Sequence, residues 1–197
     1  GLGIRFQNRL FTTHINEDDV VMGDVTRLEE AILEIDKNYE PKVIFVVASS
    51  VTAVIGTDIK GVCRYMQQEV KAKLLPIEQS GFNGDYSTGV SEIYKVLVKN
   101  LLVENRVKHD DSYNILGASA WHYRIASDLW EVENLLKEGF NLTCNARLCC
   151  NTSVEEIEQM SGVKLNIVLS CEGLPAAELL KERYGIPYVY TAPYGYQ

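Results

Sequence analysis

No two of the five cysteines in this 197-residue chain have the CxxC spacing of a zinc knuckle or a redox dithiol. Cys63, Cys144, Cys149, Cys150 and Cys171 are odd in number and scattered, which argues against a disulfide scaffold. Adjacent residues of a strand point to opposite faces, so Cys149 and Cys150 make a poor chelate and read as small buried apolar residues. Long apolar runs are also missing. VIFVVA and LNIVL are strand-sized, far below the roughly 20 residues of a spanning helix. The first residues, GLGIRFQNRLF, lack the charged-then-apolar order of a signal peptide, so the cytoplasm is the expected location. Basic charge is scarce: 27 acidic against 19 basic side chains leave a formal charge of -8, which argues against nucleic acid or an anionic membrane as the main partner.

Motifs that would name a chemistry are absent too. The chain has no GxGxxG, no P-loop pattern and no GxSxG elbow, and the lone glycines Gly56, Gly84 and Gly117 read as ordinary turns. The three histidines fall in an irregular start (His14), a polar segment (His109) and a loop (His122). Of these, His122 is at a strand's carboxyl end, where an ordinary loop residue is the favoured reading over a catalytic one. Glu17, Asp18 and Asp19 form a charge cluster that reads as solvated surface.

What is present is alternation. With 46% hydrophobic residues the chain can bury one good core or two small ones. Short β-branched runs alternate with amphipathic segments, which is the signature of parallel sheets covered by helices. Val25 to Tyr39 reads as a helix with Leu28, Ile32 and Ile35 on one stripe, and Val43 to Ala48 as a buried strand. Helix Asp58 to Lys73, strand Leu75 to Glu78, a glycine-rich loop and helix Val90 to Val103 follow. The polar stretch ENRVKHDD, Glu104 to Asp111, reads as a boundary between lobes. Beyond it come strand Tyr113 to Leu116, helix Ile125 to Glu138 closed by Gly139, and strand Phe140 to Ala146. A helix from Val154 to Met160 has Ser153 as N-cap and Glu156 at the capping-box position. Strand Leu165 to Leu169, a helix from Ala176 to Tyr184 ended by Gly185, and strand Tyr188 to Tyr190 complete the pattern. The predicted class is α/β: two Rossmann-like lobes, residues 1–105 and 106–197, each a mainly parallel sheet covered by helices. In such sheets ligands lie beyond the carboxyl ends of the strands, so SSVTAVIGTD, EQSGFNGDYSTG, GASAWHYR and SCEGLP are the loops in which to look for function.

The strings themselves carry a resemblance. TTHINEDDVVMGDVTRLEEAILEI, then VIGTDIKGVC and PIEQSGFNG, then YNILGASAW, LLKEGFNL, SVEEIEQMSGVKLNIVLS and KERYGIPYVY resemble, in this order, phrases of the nitrogenase component 1 family. That family embraces nitrogenase subunits, cofactor-assembly scaffolds and tetrapyrrole reductases. The resemblance covers nearly the whole chain. It implies a piece of a longer, three-domain subunit, beginning after the family's first cluster-cysteine region and stopping before its third domain.

The resemblance also implies sites and partners. The family's bridging-cluster cysteine falls on Ser50, the cysteine of its CEGF-like phrase on Gln79, its helix histidine near Val90 or Ser91, and its cofactor-anchoring cysteine on Ser170. Cys171 stands beside that last position as a metal-ligand candidate. Serine replaces thiolate poorly toward iron, so ligands of the implied iron-sulfur cluster or related metallocluster are largely missing here. The implied activity is ATP-driven, low-potential reduction of a small molecule or tetrapyrrole, with a cognate homologous subunit and an ATP-dependent iron-sulfur reductase as partners. The competing expectation is a non-catalytic scaffold or small-molecule-binding protein of the same fold that has lost its clusters.

Overall fold

The stripe of Leu28, Ile32 and Ile35 does form one face of a helix, α1 (Thr26–Tyr39), in the computed structural model, which describes residues 10–13, 25–54, 56–78, 84–105, 109–148 and 150–191. The described residues divide into two compact units, one within residues 10–89 and the other within residues 90–191. In the first, β1 (Val43–Val47) pairs in parallel with β2 (Lys73–Ile77), and Ile44 and Val46 pack with α1 and with α3 (Ile59–Met66). The strand expected to be buried is buried on one face: Phe45 and Val47 are exposed, because the described residues cover only the side facing α1 and α3.

Two side chains set the turns of this unit. The Asp36 carboxylate accepts the backbone N–H of Lys71 at 3.2 Å and of Ala72 at 2.8 Å, tying α1 to the approach of β2. Gln67 clips the same approach, donating to Ala72 O and accepting from Leu74 N at 2.9 Å each. That clip explains why the helix expected to reach Lys73 ends at Met66. The stretch after β1, expected as loop throughout, contains a short helix, α2 (Ser50–Val54).

The second unit holds a four-stranded, all-parallel sheet in the order β4-β3-β5-β6. Its strands are β3 (His109–Leu116), β4 (Thr143–Leu148), β5 (Val163–Val168) and β6 (Tyr188–Tyr190). β3 begins inside the segment read as an inter-lobe boundary. The polarity of HDDS reflects the solvated end of a strand whose last four residues are buried. Helix α4 (Tyr86–Leu101) starts four residues before its expected Val90, because Asp85 caps it through Thr88 N at 3.1 Å.

Helix α5 (Ile125–Phe140) runs through Gly139, the expected stop, and ends where Asn141 adopts the left-handed conformation (φ 55) that asparagine tolerates. The capping box appears as read: Ser153 accepts from Glu156 N, and the Glu156 carboxylate accepts from Ser153 N, at the head of α6 (Val154–Glu158). α7 (Leu174–Tyr184) closes on Gly185 (φ 66). Ile125 and Leu129 of α5 pack on Tyr113, Ile115 and Ile167, and α7 also lies against β3 and β5.

Candidate functional site

Strand order decides where the second unit can bind. From β3 the chain passes outward through α5 to β4; from β5 it passes the other way through α7 to β6. Right-handed crossovers running in opposite directions put the two helices on opposite faces. The loops leaving β3 and β5 therefore part above adjacent strands, which is the topological switch point where open α/β sheets take their ligands.

The mouth of this crevice is built of backbone at close range. Leu169 N donates to Leu116 O at 2.9 Å, Ala118 N to Leu148 O at 3.0 Å, and the Ser170 hydroxyl to Gly117 O at 3.0 Å. Gly117 has φ +80, and a Cβ there would stand 2.6 Å from Ser170 Oγ and 2.9 Å from Ser170 N. A Cβ on Gly173 would stand 2.8 Å from Gly117 N and 2.9 Å from Leu116 C. Gly117 is thus more than the ordinary turn expected, since only glycine lets the two loops approach. Past this seam the β3 loop carries Ser119, buried and accepting His122 N through its carbonyl at 3.0 Å, then Trp121 and Tyr123, 83% and 88% exposed. His122 and Arg124 lie on the same loop, where Arg124 places a positive charge in an acidic chain.

Of the residues singled out by sequence, this crevice brings together Ser170 and Cys171. Ser170 spends its hydroxyl on the seam. Cys171 begins the turn Cys171–Gly173 with an exposed thiol. Ser50 lies in the first unit, exposed, as the first residue of α2. Downstream of it, Gly56 turns the chain with φ 74 and Asp58 caps α3 by accepting Gly61 N at 2.8 Å, so the VIGTDI phrase is a helix-starting device. Ser91 is half-buried on α4. Gln79, His14, the Glu17–Asp19 cluster, Gly81, Phe82 and Cys149 lie outside the described residues.

Among the described residues no group of three or more His, Cys, Asp or Glu stands close enough to hold a metal ion. They do not by themselves fit a resident multi-ligand cluster. They do offer one exposed thiol at a glycine-built crevice. Burial separates it from the other thiols: desolvation pushes Cys63 up to about 11 and Cys144 up to about 12, and raises Cys150. Gly173 and the exposed Trp121–Tyr123 pair were not read as special from sequence. The signal was a glycine two residues after a strand-end cysteine and aromatics in a strand-end loop, but neither acquires meaning until β3 and β5 are known to be neighbours. No described helix is long and apolar enough to cross a membrane.

Comparison with known proteins agrees with the fold. The family described as nitrogenase component 1 type oxidoreductase matches residues 4–197. The chain is 33% identical over 187 residues to the nitrogenase iron-molybdenum cofactor biosynthesis protein NifE of Clostridium pasteurianum, covering 94% of this chain and 40% of that protein. The NifE of Nostoc sp. is 32% identical, covering 94% and 38%. The nitrogenase molybdenum-iron protein alpha chain of C. pasteurianum is 28% identical, covering 96% and 35%. A solved structure described as nitrogenase Cp1 at pH 6.5 superposes with a TM-score of 0.81 at 27% identity, covering 95% of this chain and 36% of that one. The chain spans about 40% of the length of such relatives.

Proposed function

The chain belongs to the nitrogenase component 1 type oxidoreductase family, and on that premise we propose that it is part of a cofactor-handling subunit, one that presents a metallocluster or its precursor at the crevice between the β3 and β5 loops. The observation that carries this reading is the coincidence of the switch-point crevice with the exposed Cys171 thiol, in a chain similar along 94% of its length to a cofactor biosynthesis protein. The cluster is cargo here. One thiol suits a cargo that must also leave, whereas a resident cluster demands several thiolates. In this reading Gly117 and Gly173 let the two loops close on each other beneath the crevice, Ser170 pins them through Gly117 O, and Cys171 supplies the soft donor. A cognate homologous subunit completes the ligand set, in the cytoplasm.

The similarity to a molybdenum-iron protein alpha chain favours a second reading, in which the protein takes part in ATP-driven low-potential reduction with a partner subunit and an iron-sulfur reductase. Anaerobic purification of the intact protein with its cognate subunit, with and without Cys171→Ala, tests the first. Iron, sulfide and charge-transfer absorption that fall in the variant are expected. A colourless, iron-free complex defeats both readings, and an iron content unmoved by Cys171→Ala defeats the role of that thiol.

A further inference from the structure

At the opposite end of the same sheet, β3 loses register with both neighbours at one level. Against β5, His109 pairs Val163 and Tyr113 pairs Leu165, so three β3 residues face the single Lys164. Against β4, Tyr113 pairs Cys144 and Asn114 pairs Ala146, leaving Asn145 as the extra residue. Bulges of this kind bend strands and re-aim side chains, and they concentrate beside functional sites. Here they open a cleft of about 550 Å³ at the amino ends of the strands, lined among others by Asn105, His109, Ser112, Thr143, Asn145 and Gln159.

The described lining is rich in hydrogen-bonding side chains. Among the described residues that line the cleft, none is a lysine, arginine, aspartate or glutamate, although Lys137 Nζ donates to Oγ1 of the lining Thr143 at 3.3 Å. Three of the lining side chains are carboxamides. Asn105 Nδ2 donates to Gln159 Oε1 at 2.7 Å, a bond that uses one polar atom of each of these two lining carboxamides. Asn145 Nδ2 donates to Asn114 Oδ1 at 2.9 Å, and Asn114 Nδ2 donates on to Asn166 Oδ1 at 2.9 Å. This row of amides leads from the cleft wall into the core, where Asn114 and Asn166 are fully buried and Asn166 Nδ2 finds no hydrogen-bond partner among the described residues. Buried amides are costly where an apolar layer would serve, and the buried pair Asn114 and Asn166, in register across β3 and β5, holds the half-buried wall amide Asn145 in a defined orientation.

We infer that this cleft is a second binding site, separate from the switch-point crevice, for an uncharged planar heterocycle of the nucleobase class. A carboxamide offers a donor and an acceptor in one plane, the complement of the paired donor and acceptor on a base edge. Val163 and Gly162 add apolar wall against which a ring can lie, and the His109 imidazole stands at the exposed rim.

The test is titration of the purified protein with adenosine, guanosine, cytidine and uridine, followed by saturation-transfer NMR and calorimetry, with myo-inositol and ATP as comparisons. At least one nucleoside is expected to bind, about five- to tenfold more weakly in Gln159→Ala, as loss of one net hydrogen bond dictates. Gln159 is exposed, so that variant keeps its fold; Thr143→Phe, also on an exposed residue, should abolish binding by filling the mouth. Natively folded protein that binds no nucleoside at millimolar concentration overturns the inference. So does binding of myo-inositol alone, ATP binding tighter than adenosine, or binding indifferent to both substitutions.

Discussion

Replacing Gly117 and, separately, Gly185 by alanine isolates the close approach on which the crevice depends. Both glycines lie in the second unit and both are left-handed, with φ +80 and +66. Alanine in that conformation costs about 1–2 kcal/mol, and the stiffer unfolded chain returns about 0.4–1 kcal/mol. The backbone alone therefore predicts a loss of about 1 kcal/mol at either site. The surroundings differ: nothing lies within 4 Å of a Cβ at Gly185, whereas at Gly117 it meets Ser170 Oγ at 2.6 Å, Ser170 N at 2.9 Å and Ser170 O at 3.1 Å. Two of those three atoms are backbone and cannot rotate away, so overpacking adds about 1–3 kcal/mol at Gly117 only. Urea unfolding followed by circular dichroism should place the midpoint of Gly117→Ala about 1 M below that of Gly185→Ala, given a slope of about 2 kcal/mol per M. Adding Ser170→Gly should restore part of the difference, because Oγ leaves while Ser170 N remains. Coincident midpoints for the two alanine variants would refute the seam between the β3 and β5 loops.

Asp36→Ala removes the acceptor for Lys71 N and Ala72 N; with Ala72 1% exposed, the cost should be about 1–3 kcal/mol, accompanied by faster amide exchange at Ala72. Unchanged exchange there would show that the carboxylate is not the tie. Mass mapping after brief iodoacetamide treatment at pH 8 should find Cys171 alkylated and Cys63, Cys144 and Cys150 protected in the folded protein. The buried thiols also set an alkaline limit. Their folded values lie above the ordinary 9.0, so the unfolded chain binds fewer protons once pH passes 9. Their stabilising contribution is complete below pH 9 and is lost as pH rises through about 11 for Cys63 and about 12 for Cys144. Cys63→Ala or Cys144→Ala should flatten that decline; an unflattened decline would assign it to other groups.

Much of this protein could be read from its residues in order. Period and punctuation located the elements: the Leu28, Ile32, Ile35 stripe, the Ser153–Glu156 capping box, and Gly185 after Tyr184 are local devices whose partners lie within a turn of helix. The ordered phrases carried the family, and the apolar character of LNIVL carried a parallel strand closed on both faces. The misplacements share a cause, since each was decided by a contact the chain makes elsewhere or by a cap that outweighed propensity. HDDS is strand because β5 and β4 pair beside it, and Met66 ends α3 because Gln67 reaches Ala72 and Leu74.

Neither site was decided by sequence alone. The sequence marked Ser170 and Cys171 as candidates, but tertiary structure alone made β3 and β5 neighbours and so set Gly117 and Gly173 against Leu116 and Ser170. It alone aligned Asn145, Asn114 and Asn166, which lie 31 and 52 residues apart from the middle amide, into one row. Local signals specify which segments are helices and strands because those interactions close within a few residues. Strand order is settled by packing across the whole unit, and a site built where distant strands meet exists only once that order has been chosen.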